Sequence, residues 1–231
     1  MFRTALAALA IAAALPAAAR AESLSGEVDF TGAKPTLAKV HRESDPVCAK
    51  KEGFDETILV KDGKLQNVWV HVVAGAPDSR AAADAAPVVA DQRDCTYHPR
   101  VQVALLGQKL ITKNNDATMH NVHAFQGSAT LFNKSMVNAS AKPIEQALEK
   151  DGVVKLKCDV HGWMRGYVGV NKNPHQAVTT ESGTFNIDLP PGTYKVEAWH
   201  EKFGVKSAQV TVEKGKPATL VFKYDGTEKG A

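Results

Sequence analysis

The sequence predicts an all-β protein made of two small sandwiches. Three observations carry this: apolar and polar residues alternate over short runs, Gly, Pro, Asn and Asp bound those runs, and only one stretch has helical spacing. The runs 26–30 and 67–72 read as half-buried strands, and 101–105, 153–158, 167–170, 184–189, 194–198, 208–212 and 219–224 follow the same pattern. Pro143 suits a first helical position and Ile144, Ala147 and Leu148 share a helical face, so 143–150 reads as a short surface helix. Phe185, Ile187 and Leu189 alternate inward, Pro190-Pro191-Gly192 makes a turn, and Tyr194, Val196 and Ala198 alternate again, which reads as a hairpin.

The chain has 231 residues, 44% hydrophobic and 23% charged, an ordinary globular composition that excludes collagen-like, disordered and disulfide-scaffold classes. Its 28 Lys+Arg against 25 Asp+Glu are spread without a basic block, so no nucleic-acid partner is expected. Arg3, an Ala/Leu/Ile run from Ala5 to Leu15, Pro16 and Ala19-Arg20-Ala21 form a secretory signal peptide, cleaved after Ala21. That run is too short to span a bilayer and no later stretch is long enough, so no membrane insertion is expected. The mature chain would begin at Glu22 rather than at a lipid-bearing Cys, which points to the free periplasm.

Residues 74–86 and 171–174 read as connectors, and the segment between them has its own strands. The organisation expected is a signal peptide at 1–21, the first part of one sandwich at 22–85, a second domain at 86–172, and a further part of the first sandwich at 173–226. Whether the flanking sandwich runs through this interruption is left open by the pattern.

The residues that carry chemistry are Cys158-Asp159-Val160-His161-Gly162-Trp163-Met164 and, upstream, His120-Asn121-Val122-His123. Two imidazoles and a thiolate with a weak axial thioether make the ligand set of a blue copper site, because soft sulfur selects copper over hard cations. Strand parity puts Val154, Leu156 and Cys158 on one face, and His120, Val122 and Ala124 on one face, so only one histidine of the upstream pair can ligate and parity favours His120. Zinc rarely recruits a thioether, so a structural zinc site fits less well. Met119 and Met136 are further candidates for the axial position beside Met164. His41, His71, His98, His175 and His200 show no spacing that forms a second metal site.

With the following Gly166-x-Val168-x-Val170, these motifs resemble the cupredoxins of the plastocyanin and amicyanin kind, over about residues 87–170. The resemblance implies a Greek-key antiparallel sandwich, one type 1 copper ion held by His120, Cys158, His161 and Met164, and Asn121 tying the two ligand loops together by hydrogen bonding. Departures are Met119 where such proteins commonly have Pro, Asp159 where a hydroxyl residue is common, and Lys157 in place of an apolar neighbour. With Cys158 assigned to metal, Cys48 and Cys95 are left over, and an oxidising compartment pairs them as a disulfide. The stretch 180–201 is similar to carboxypeptidase regulatory-like, transthyretin-type sandwich modules, whose members of this kind are not catalytic; His200 reads as a capped edge rather than a functional tip.

The expected function is a periplasmic carrier of single electrons between redox protein partners, not an enzyme, with electrons passing through an exposed edge of His161 near Trp163. The alternative is a copper storage, delivery or sensing module.

Overall fold

A computed structural model describes residues 22–230; the signal-peptide segment lies outside them. Among the described residues there is no α-helix, only a single 3₁₀ turn at Cys48–Lys50 and strands in two sandwiches, so the chain is all-β. No helix of the described residues is long and apolar enough to cross a membrane.

The flanking sandwich is assembled from both ends of the chain. Its first sheet centres on Ser23–Phe30, antiparallel to Thr184–Asp188 and parallel to Ala218–Tyr224. Its second sheet has the order Gln176–Val178, Trp69–Ala74, Gly192–His200, Gly204–Val212. Leu24, Val28, Val70, Val72, Phe185, Ile187, Val196 and Phe222 fill the space between them. Strands from before and after the middle segment thus share one core, and the sandwich runs through the interruption.

The hairpin expected around Pro190-Pro191-Gly192 does not form. Thr184–Asp188 pairs with Ser23–Phe30, whereas Gly192–His200 pairs with Gly204–Val212 and Trp69–Ala74 in the opposite sheet. The proline pair bridges from sheet to sheet. Alternation shows that both runs face one core, and it cannot distinguish neighbours in a sheet from neighbours across a sandwich. Two prolines also remove the backbone donors that a tight hairpin would use.

The inner sandwich packs Ile144–Ala147, Lys109–Asn114, Val88–Arg93 and Thr96–His98 against Ala129–Met136, His120–Gln126, Gly152–Lys157, Arg165–Asn171 and Val101–Leu105. Pairing is mainly antiparallel, with parallel ladders between Val88–Arg93 and Lys109–Asn114 and between Arg165–Asn171 and Val101–Leu105. The expected helix at 143–150 is instead the edge strand Ile144–Ala147, bonded antiparallel to Lys109 through Thr112. Ile144 and Leu148 are buried while Glu145 and Ala147 are exposed, a period of two as much as of four. A two-turn helix is marginal alone, and an open sheet edge supplies bonds to every other residue of a strand.

The sandwiches meet at Trp69, Val101 and Tyr167, with Trp199 against them. Gly169 permits this approach, since a Cβ there would stand 2.4 Å from Cδ2 of Trp69. Beside the indole, Arg100 of the inner sandwich forms a two-pronged ion pair with Glu201 of the flanking one, and the Tyr167 hydroxyl donates to the same carboxylate at 3.0 Å. The long loop that follows Ser23–Phe30 crosses over the inner sandwich and is fastened there by the disulfide Cys48–Cys95.

Candidate metal centre

His120 opens the strand His120–Gln126, Cys158 follows the end of Gly152–Lys157, and Met164 precedes Arg165–Asn171. Between the last two, a tight turn carries His161: its N–H donates to Cys158 Sγ at 3.4 Å, and the Met164 N–H donates to the His161 carbonyl at 2.9 Å. The turn brings together residues from neighbouring strands that alternation had placed on the inner face. One donor atom from each of His120, Cys158 and His161 lies within 4.8 Å of the others. The two imidazole Nδ1 atoms are 2.9 Å apart, and Cys158 Sγ is 3.8 Å from Nδ1 of His161. Relative exposures of His120, Cys158, His161 and Met164 are 0%, 1%, 2% and 1%, so the donors face a space closed to solvent.

The outer nitrogen of each imidazole meets a carboxylate: His120 Nε2 donates to Asp116 at 2.8 Å, and His161 Nε2 donates to Asp45 at 3.0 Å. Such bonds fix the tautomer that leaves Nδ1 free to ligate and make the ring a stronger donor. Burial disfavours a charged His120, yet Asp116 and the Cys158 sulfur outweigh it and hold the imidazole pKa up at about 9. Burial likewise disfavours a Cys158 thiolate, but His120 and the backbone N–H groups of Asn121, His161 and Val160 bring the thiol pKa below its ordinary value. Asp45 is half-buried, and its bonds from Thr118, the Cys48 and Val47 amides and His161 overcome burial and depress its carboxyl to about 2. The surroundings therefore favour the charged form of both groups, a thiolate at Cys158 and an imidazolium at His120. His120, Cys158 and His161 would hold a cation, which would compete with the protons on these donors. One cysteine sulfur and two imidazole nitrogens, with a thioether in the same buried core, fit a soft, redox-active ion such as copper.

Asn121 stands where it joins the two stretches: its side-chain carbonyl accepts the Asp159 N–H at 2.6 Å and its amide donates to the Asp159 carboxylate at 3.0 Å. That carboxylate also takes bonds from Asn133 and His123, so it is turned toward this polar group rather than toward the sulfur. His123, on the other strand face as parity requires, is spent on Asp159 and Thr130. Of the three methionines, Met119 is 44% exposed, the Met136 sulfur accepts a bond from Gln92 at 3.4 Å, and Met164 is buried in the same core as Cys158.

One expectation is overturned: the His161 edge is not exposed. Asp45 and the disulfide cover it, with Cys48 Sγ 3.8 Å from Nε2. Beside this ring stands Trp163, half-buried, with ring centroids 5.0 Å apart and its N–H on the Cys95 carbonyl. Two carboxylates at this site escaped the sequence reading. Asp116 had a signal, its position four residues before His120. Asp45 had none, because a disulfide three residues further on, not local spacing, carries it to His161. Cys48 and Cys95 also lie near the imidazoles, but as a disulfide they offer no thiolate.

The carboxypeptidase regulatory-like domain model matches residues 168–224, the continuous later half of the flanking sandwich and the strand that leads into it. No curated protein matches. Among solved structures, the chain is similar to a reduced amicyanin variant at 25% identity, over 44% of this chain and 98% of that one, with a TM-score of 0.34. It is similar to a purple cupredoxin of Nitrosopumilus maritimus at 28% identity, over 33% and 82%, with a TM-score of 0.30. A copper-containing nitrite reductase of Thermus scotoductus aligns at 16% identity, over 43% and 26%, with a TM-score of 0.36.

Proposed function

We propose that this chain is an exported, periplasmic blue copper protein that carries single electrons between redox protein partners and is not itself an enzyme. The observation that supports this most is the buried convergence of His120, Cys158 and His161, with Met164 in the same buried core. Copper held there would supply a one-electron couple whose ligands need little rearrangement between oxidation states. The protein's share is to keep those ligands fixed: Asp116 and Asp45 orient the imidazoles, Asn121 and the His161 amide hold the sulfur's surroundings, and the apolar core excludes water. Trp163, in contact with His161, is the side chain through which electrons reach the surface. Storage or delivery fits less well, because a donor set closed under Asp45 and the disulfide hinders handing over the ion.

Titration of the metal-free protein with cupric ion tests this. One equivalent should give the intense visible thiolate-to-copper absorption and a narrow hyperfine splitting in the spin-resonance spectrum. Cys158→Ser should lose both signals, and a variant that kept the colour would overturn the assignment.

A further inference from the structure

Beside the metal loop, on the other side of Trp163, lies a cavity of about 580 Å³ where the long loop and the two sandwiches meet. This is the size of a small-ligand site. Its lining holds six cationic and three acidic side chains. Among the acids, Glu201 is paired with Arg100, while Asp55, which accepts from Thr57, and Glu56 keep their charges, so cations still exceed acids by three. Arg42, Lys155 and Arg165 have no carboxylate partner among the described residues. Arg42 is the informative one. It is 5% exposed, and its Nε has no hydrogen-bond partner. Its guanidinium is fixed in place: one nitrogen donates to the Asp94 carbonyl at 3.0 Å, its Cζ lies over the Trp163 ring at 5.8 Å from the ring centre, and it fills the space where a Cβ on Gly53 would fall. A buried guanidinium with an unmet donor is costly unless an acceptor arrives. Lys155 adds to the imbalance, since burial and the facing Arg165 and Lys157 lower its pKa. Among neutral lining residues, Thr36, Thr57 and Thr96 are polar, and flat aromatic surface comes from Trp163 and Tyr167 inside and from Phe54, 45% exposed, at the rim.

We propose that this cavity binds a small planar organic anion, its carboxylate or equivalent acid group on Arg42 and its ring against Trp163. Guanidinium recognises such oxygens through paired N–H bonds, and it is the planar aromatic surface that favours an aromatic acid over inorganic phosphate. The proposal does not depend on copper, and its test is made without it.

Phthalate is titrated into the intact, metal-free protein by calorimetry, with the indole N–H resonance of Trp163 followed by NMR. Saturable binding with a shift of that resonance is expected, with phthalamide, of the same shape but neutral, giving neither. Arg42→Gln should weaken phthalate about tenfold or more, as for a charge-assisted bond lost. Lys155→Gln with Arg165→Gln, which touches no core packing, should weaken it about fivefold, and this pair decides the matter if Arg42→Gln fails to fold. No saturation below about 10 mM phthalate, equal binding of phthalamide, or unchanged binding in the variants that fold would overturn the proposal.

Discussion

His120 and His123 stand three residues apart on one strand, and so on opposite faces of it, with different partners. The first is buried with its ring on Asp116, and the second is half-exposed with its ring on Asp159 and Thr130. His123→Ala should therefore leave the cupric absorption band in place, whereas His120→Ala should remove it; loss of the band in His123→Ala alone would reverse the assignment. Asp116→Asn keeps an oxygen near Nε2 but drops the charge that makes the imidazole a strong donor. Cupric affinity, measured by competition with a chelator, should fall about 10- to 100-fold. The choice between the two histidines was legible because side chains in a strand alternate. Asn121 was legible only through its likeness to a known motif, and Asp45 not at all, since nothing in its neighbourhood announces a contact 116 residues away.

Elements were readable where a run was long and one face was buried, as in Gly152–Lys157, where Val154 and Leu156 are buried and lead to Cys158. They were misread where periods two and four coincide, at Ile144–Ala147, and where a turn crossed between sheets, at Pro190-Pro191. The loop that holds Asp45 has little sheet of its own, only the two-residue ladder of Lys39–Val40 with Gly53–Phe54. Its position depends on the Cys48–Cys95 bond, which spans 47 residues. Cys48→Ser with Cys95→Ser should cost about 4 kcal/mol in urea denaturation, by the chain entropy returned to the unfolded state. A loss below about 1 kcal/mol would mean that packing alone holds the loop over His161.

At the scale of the molecule, the Arg100–Glu201 pair is the polar fastener between the sandwiches, its side chains 10% and 4% exposed. Glu201→Gln leaves a buried guanidinium without its counter-charge and should destabilise by about 3 kcal/mol, measured by denaturant midpoint. The flanking sandwich also carries a pH liability. His71 is stacked on Trp69 with Nδ1 unpartnered, and burial, only partly offset by Glu197, lowers its pKa to about 4. The unfolded chain takes this proton near pH 6.5 and the folded chain only near 4, so stability is full above that window and falls by about 3 kcal/mol as pH drops through it. His71→Phe should flatten this slope. The interruption of the flanking sandwich has one more consequence, for the order in which the chain can become ordered. Apart from a short contact of its far end with Lys64–Leu65, Ser23–Phe30 has no strand beside it until Thr184–Asp188 and Ala218–Tyr224 have been synthesised, whereas every strand of the inner sandwich is complete by Asn171. The guest is thus free to fold while its host still waits for the last fifty residues or so, and the nascent amino-terminal strand must be kept from pairing wrongly until then.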